Sequence, residues 1–144
     1  MTRIDFHFNA ENRLHYACRV TRKARAAGKR LVAYTRDAGR LAQFDDALWT
    51  FSALDFLPHV AVDSPLSAHT PVLLTLEAAR APASDVLLTL DDEVPPDFPA
   101  LFARFERVIE VVSRNEDDRQ HARTRMRAYR EHGYAPTTFE VGSE

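Results

Sequence analysis

Apolar residues run along this chain in two rhythms. In one they come as short unbroken runs: RLVAYT (30–35), HVAV (59–62), PVLLTL (71–76), DVLLTL (85–90) and RVIEVV (107–112). Runs of this length without alternation suit strands covered on both faces, as in a parallel sheet. IDFHF (4–8) alternates large apolar with polar residues and predicts a first strand, and TTFEV (137–141) predicts a last one. In the other rhythm the apolar positions recur at helical spacing. Leu14, Cys18 and Ala26 mark an amphipathic helix from Glu11 to Ala27, closed by Gly28. Leu41, Phe44, Leu48 and Phe51 mark a second helix over 37–51. A PPDFP turn (95–99) leads through LFARF to the 107–112 strand. Ser113 with Glu116 three residues on has the form of a capping box, opening a helix that runs to about Glu131 and stops at Gly133. Strands alternating with helices predict a three-layer, Rossmann-like α/β domain with a mostly parallel sheet. The 144 residues fit a single domain, 1–144, long enough to bury a core.

Composition narrows the class. Apolar residues make up 45% and charged residues 28%, ordinary for a soluble globular protein. One cysteine, Cys18, leaves no internal disulfide and fits a reducing, cytoplasmic setting. No run approaches a membrane span, and the N-terminus has no apolar signal region. A net charge of −2 argues against a general nucleic-acid binder, so any anion recognition must be local.

Motifs for catalysis are missing. The Gly-Lys pair of AAGKRL lacks the first P-loop glycine and has Arg30 where Ser or Thr belongs; a helix C-cap explains it better. No GxGxxG follows the first strand, and four glycines in all leave a dinucleotide no backbone cradle. The six histidines show no zinc spacing, there is no GxSxG elbow, and DDE (91–93) abutting two prolines reads as a solvated turn. The expectation is a binding module with no cofactor and no metal.

The local anion site has one candidate. ARTRMRAYREHGY (122–134) is rich in arginine, and at about 100° per residue Arg119, Arg123, Arg127 and Arg130 fall in one sector of the last helix. Ala122, Met126 and Tyr129 form an apolar stripe beside it, with Met126 at the seam. Geometry alone leaves two readings open. Early acids (Glu116, Asp117, Asp118) and late arginines complement a helix dipole on a solvated face. Alternatively, arginine forks beside an apolar step suit a short acidic peptide ending in a hydrophobic residue. Burial of one Phe, worth about 1.5–3 kcal/mol, together with carboxylate contacts is compatible with roughly micromolar binding. Two other readings are a degenerate nucleotide-binding or hydrolytic α/β enzyme and a direct single-stranded DNA binder; the latter lacks interleaved aromatics.

Several stretches together resemble one family. IDFHF, GKRLVAY, FDDALW, FLPH, PVLL, RFERVIEVV and ARTRMRAYREHGY are similar, in order, to segments of the chi subunit of bacterial DNA polymerase III holoenzyme. The resemblance implies a Rossmann-like fold without nucleotide binding, no catalysis, and two binding surfaces. One takes the acidic C-terminal tail of single-stranded DNA-binding protein, ending in Pro-Phe; its positions fall on Arg119, Arg123 and Arg127, with Val112 and Met126 by the pocket. Met126 stands where better-known members carry an aromatic. The other surface binds the psi subunit, which joins chi to the clamp loader, and in some members an accessory helicase competes for it. It falls on Trp49 and Phe56, which the residues alone read as core. DNA would be met only indirectly.

Overall fold

The computed structural model describes residues 2–51 and 57–141. Seven strands, β1 (Arg3–Ala10), β2 (Leu31–Tyr34), β3 (His59–Ala61), β4 (Val72–Thr75), β5 (Ser84–Thr89), β6 (Phe105–Ser113) and β7 (Thr137–Glu140), form one sheet in the order β3-β4-β2-β5-β6-β1-β7. Every pairing is parallel, as the unbroken apolar runs predict. Helices α1 (Arg13–Ala26) and α2 (Ala38–Thr50) cover one face; α3 (Phe98–Phe102) and α4 (Glu116–Glu131) cover the other. The fold is thus the three-layer α/β architecture expected from the sequence.

Two core layers follow from the period of two along the strands. Ile4, Phe6, Val32, Leu87, Val108 and Val112 face α3 and α4. Leu31, Ala33, Leu88, Ile109 and Val111 face α1 and α2. Phe98 and Phe102 set their rings edge-on against Tyr129, 5.1 and 5.3 Å between centroids, so the short α3 fixes the seat of α4.

The helix ends obey local chemistry. Gly28, at φ +75°, closes α1 with Lys29 N–H donating to the Ala24 carbonyl at 2.9 Å. The Gly-Lys pair is therefore a helix stop, as expected. Gly133, at φ +89°, ends α4 in the same way. The start of α4 differs from the capping box. Asn115 is the cap, its side-chain oxygen accepting from the N–H groups of Asp117 and Asp118 at 2.8 and 3.3 Å. Ser113 is still in the sheet, paired with Ala10, and its hydroxyl donates to Asp118 while accepting from Asn115 N–H.

Strand order reverses direction between β2 and β5: chain leaving β2 crosses on one face, chain leaving β5 on the other. The carboxyl ends of these two strands are where open α/β sheets usually hold a ligand. Here the place is filled from within. The Asp91 carboxylate accepts from the Thr35 hydroxyl, from Arg36 N–H at 3.0 Å and from the Arg36 guanidinium at 3.2 Å. Beside it Asp92 lies between Arg13 (2.8 Å) and Arg40 (3.3 Å). The DDE stretch is accordingly no solvated turn: Asp91 is buried and only Glu93 is well exposed. The arginines that surround it supply the reason, since each offsets the cost of burying a carboxylate.

Candidate peptide-binding ridge and partner surface

The arginines of α4 divide into two kinds. Arg123, Arg127 and Arg130 are exposed and Arg119 is half-exposed, with Arg119 on the side of the helix that faces β1. The Arg119 guanidinium stands 5.9 Å over the Phe8 ring. Arg114, also exposed, extends the basic surface at the foot of the helix, its Nε donating to Asn9 at 3.2 Å. One acid lies among them. Glu116 accepts from Arg123 Nη2 at 2.7 Å, and its second oxygen is 4.0 Å from Arg119 Nε.

Arg125 points the other way. Its side chain is 2% exposed, with Nε 2.5 Å from Glu110 and Nη1 donating to the Asp92 carbonyl at 2.6 Å. The Tyr129 hydroxyl donates to the other Glu110 oxygen. Burial pulls the Arg125 pKa down, but the Glu110 charge and hydrogen bond more than offset that and hold it above the ordinary arginine value. Burial and the neighbouring Glu110 carboxylate push the Tyr129 hydroxyl up, so it remains a donor.

The apolar stripe is buried as the wheel predicts: Ala122, Met126 and Tyr129 all face the sheet. Val112 and Met126 are 1% and 7% exposed and belong to the core beneath the ridge. The apolar surface next to the arginines is the partly buried Phe8, which packs on the same core. Sequence reasoning missed Phe8 and Arg114 because nothing in IDFHF or at the strand end announces which helix they will meet.

The second surface lies across the sheet. Trp49, near the end of α2, is 56% exposed with its ring 4.7 Å from that of His59. It is therefore a surface residue and not the core residue that its type alone suggested. His59 is buried, with Nδ1 2.6 Å from the Leu57 carbonyl and Nε2 2.7 Å from Asp45. Trp49, His59, Asp45 and Leu41 line a cleft of about 350 Å³. Phe56 lies outside the described residues.

Among the described residues one group has metal-ligand types in reach: Asp92, Asp118 and His121, with ligand atoms within 4.8 Å of one another. The Arg13 guanidinium already sits 2.8 Å from Asp92 and 3.9 Å from Asp118, supplying the positive charge those carboxylates need. No helix among the described residues is long and apolar enough to cross a membrane.

These features define a Rossmann-like α/β protein whose ligand crevice is filled by its own carboxylates and whose outermost helix carries an exposed arginine ridge. The profile of the family described as DNA polymerase III chi subunit, HolC, matches residues 1–137. The chain is 34% identical over 138 residues to the DNA polymerase III subunit chi of Pseudomonas aeruginosa, covering 93% of both chains. It is 26% identical over 118 residues to the subunit of the same name from Escherichia coli K12, covering 81% of this chain and 78% of that one. The Haemophilus influenzae subunit chi is 24% identical over 127 residues, covering 88% and 85%. The chain belongs to the DNA polymerase III chi subunit family.

Proposed function

We propose that this chi-family protein is a non-catalytic bridge. Its α4 ridge binds the acidic C-terminal tail of single-stranded DNA-binding protein, and its Trp49 surface binds the psi subunit, through which it joins the clamp loader during DNA replication. The observation that carries the first part is the ridge. Arg119, Arg123 and Arg127 lie along one side of one helix, with Glu116 as the acid that Arg119 and Arg123 share and Phe8 as the apolar step beside Arg119. Arginine forks donate paired N–H groups to one carboxylate, and an apolar neighbour favours a peptide that ends in Phe. The filled crevice supports a non-catalytic reading, because the Arg36 N–H that would face a phosphate there is already taken by Asp91.

The test is a fluorescence-anisotropy titration with a labelled acidic peptide closing in Pro-Phe, against the same peptide without Phe. Binding that requires the Phe and weakens as salt rises is the expected result. Arg123 is 43% exposed and already holds Glu116, so Arg123→Ala is expected to cost about 1–2 kcal/mol, between exposed and desolvated ion pairs. Undiminished binding by that variant would remove the ridge from the site.

A further inference from the structure

The Glu116 carboxylate lies where a ligand carboxylate would have to lie. One oxygen is 2.7 Å from Arg123 Nη2 and the other 4.0 Å from Arg119 Nε, so a single internal acid bridges two ridge arginines. Gln120 Nε2 donates to the same oxygen at 3.4 Å and helps to hold it there. Glu116 is 68% exposed and reaches Arg123 across nearly two turns, seven residues on. Such a contact is weak enough to be exchanged for another carboxylate. We infer that Glu116 is a specificity-determining residue of the ridge: it marks the subsite where one carboxylate of an acidic peptide docks, between Arg119 and Arg123, and competes for it until displaced. This rests on the ridge being the peptide site.

The contact selects by exchange. A ligand that brings a carboxylate to this point replaces one ion pair by another and frees Glu116 to water. A ligand without one leaves the internal pair in place and meets a ridge with two of its forks engaged. The same residue therefore sets both the affinity of an acidic peptide and the penalty on a neutral one.

The experiment compares Glu116→Gln with Asp117→Asn in the full chain, using the labelled acidic peptide closing in Pro-Phe. Both substitutions remove one negative charge from the first turn of α4, so both alter the helix dipole and the net charge alike. Only Glu116→Gln opens the subsite. It is expected to tighten binding by about three- to five-fold, the range an exchanged exposed pair allows, with Asp117→Asn changing it by less than about 1.5-fold. Equal gains in the two variants would mean a diffuse charge effect and overturn the proposal. So would unchanged or weaker binding by Glu116→Gln while Arg123→Ala still loses affinity; that outcome leaves the ridge reading standing. If Arg123→Ala also binds as the parent does, the ridge reading falls and the proposal with it.

Discussion

The sharpest test of how the arginines of α4 divide is Arg125→Met. The side chain is buried against Glu110, with Tyr129 donating to the same carboxylate and the guanidinium 5.8 Å from the Phe6 ring. Methionine keeps most of the stem's volume and removes the charge, leaving Glu110 in the core without its counter-ion. Breaking a buried pair from one side costs about 3–5 kcal/mol. Against a total stability of roughly 5–15 kcal/mol this is about a fifth or more, and it should lower Tm by about 10–20 °C. Urea unfolding followed by far-UV circular dichroism measures it without adding ions that would screen the comparison. Adding Glu110→Gln to Arg125→Met should recover most of the loss, because the buried charge disappears while an acceptor remains for the Tyr129 hydroxyl. Arg123→Ala, on the opposite side of the same helix, should change stability by less than about 0.5 kcal/mol. If Arg125→Met lies within about 1 kcal/mol of the parent, or if the second substitution recovers nothing, the pair is not the buried, mutually dependent unit described above.

Two further predictions concern other parts of the molecule. Trp49→Ala should leave unfolding within about 0.5 kcal/mol of the parent, since the ring is largely exposed, yet abolish co-purification with the psi subunit; full retention of psi would remove Trp49 from that surface. His7 is held below the usual histidine value of 6.5, chiefly by burial, with its Nδ1 2.7 Å from the Tyr16 hydroxyl. Its folded-state pKa is depressed, so the unfolded chain binds the proton first. Stability should be fully present above 6.5 and fall as pH drops from there through the lowered value. Urea unfolding between about pH 7 and pH 5 should show a shallower fall in His7→Phe than in the parent, and identical slopes would refute the assignment.

Much of the fold was legible because it follows from local chemistry. The runs VLLT and VIEVV are apolar without alternation because β4 and β6 have layers on both sides, and Gly28 and Gly133 stop helices at positive φ. The ridge was legible from helical geometry alone. What stayed hidden depends on partners far away in sequence. Asp91 looked like part of a turn, yet the Thr35 and Arg36 groups that hold it come 56 and 55 residues earlier, brought by the β2–β5 pairing. Ser113 has the right type for a cap, but the β1–β6 register keeps it in the sheet and passes the role to Asn115. Arg125 did leave a signal. Glu110 interrupts the apolar run of β6, and on a helical wheel Arg125 falls well outside the ridge, next to Tyr129. An acid inside an apolar strand needs a counter-ion, and the one arginine of the stretch outside the ridge was available to be it.

The filled crevice and the exposed ridge belong to one physical account. An open parallel sheet leaves a gap where its strand order reverses, and the backbone N–H of Arg36 at the end of β2 points into that gap. In a nucleotide-binding sheet such a donor would face a phosphate; here the chain's own Asp91 takes it, and the Arg36 guanidinium neutralises Asp91 in turn. The positive ends of the chemistry at this edge are thus spent on internal carboxylates: Arg13 and Arg40 on Asp92, Arg36 on Asp91, Arg125 on Glu110. Of the arginines that turn outward on α4, Arg119 and Arg123 share one exposed glutamate, Glu116. At the place where the fold would conventionally bind an anion the donors are already taken by internal carboxylates, whereas Arg123, Arg127 and Arg130 on α4 stay exposed. The strand ends accordingly carry no phosphate-binding loop, and the exposed ridge cations lie on the helix.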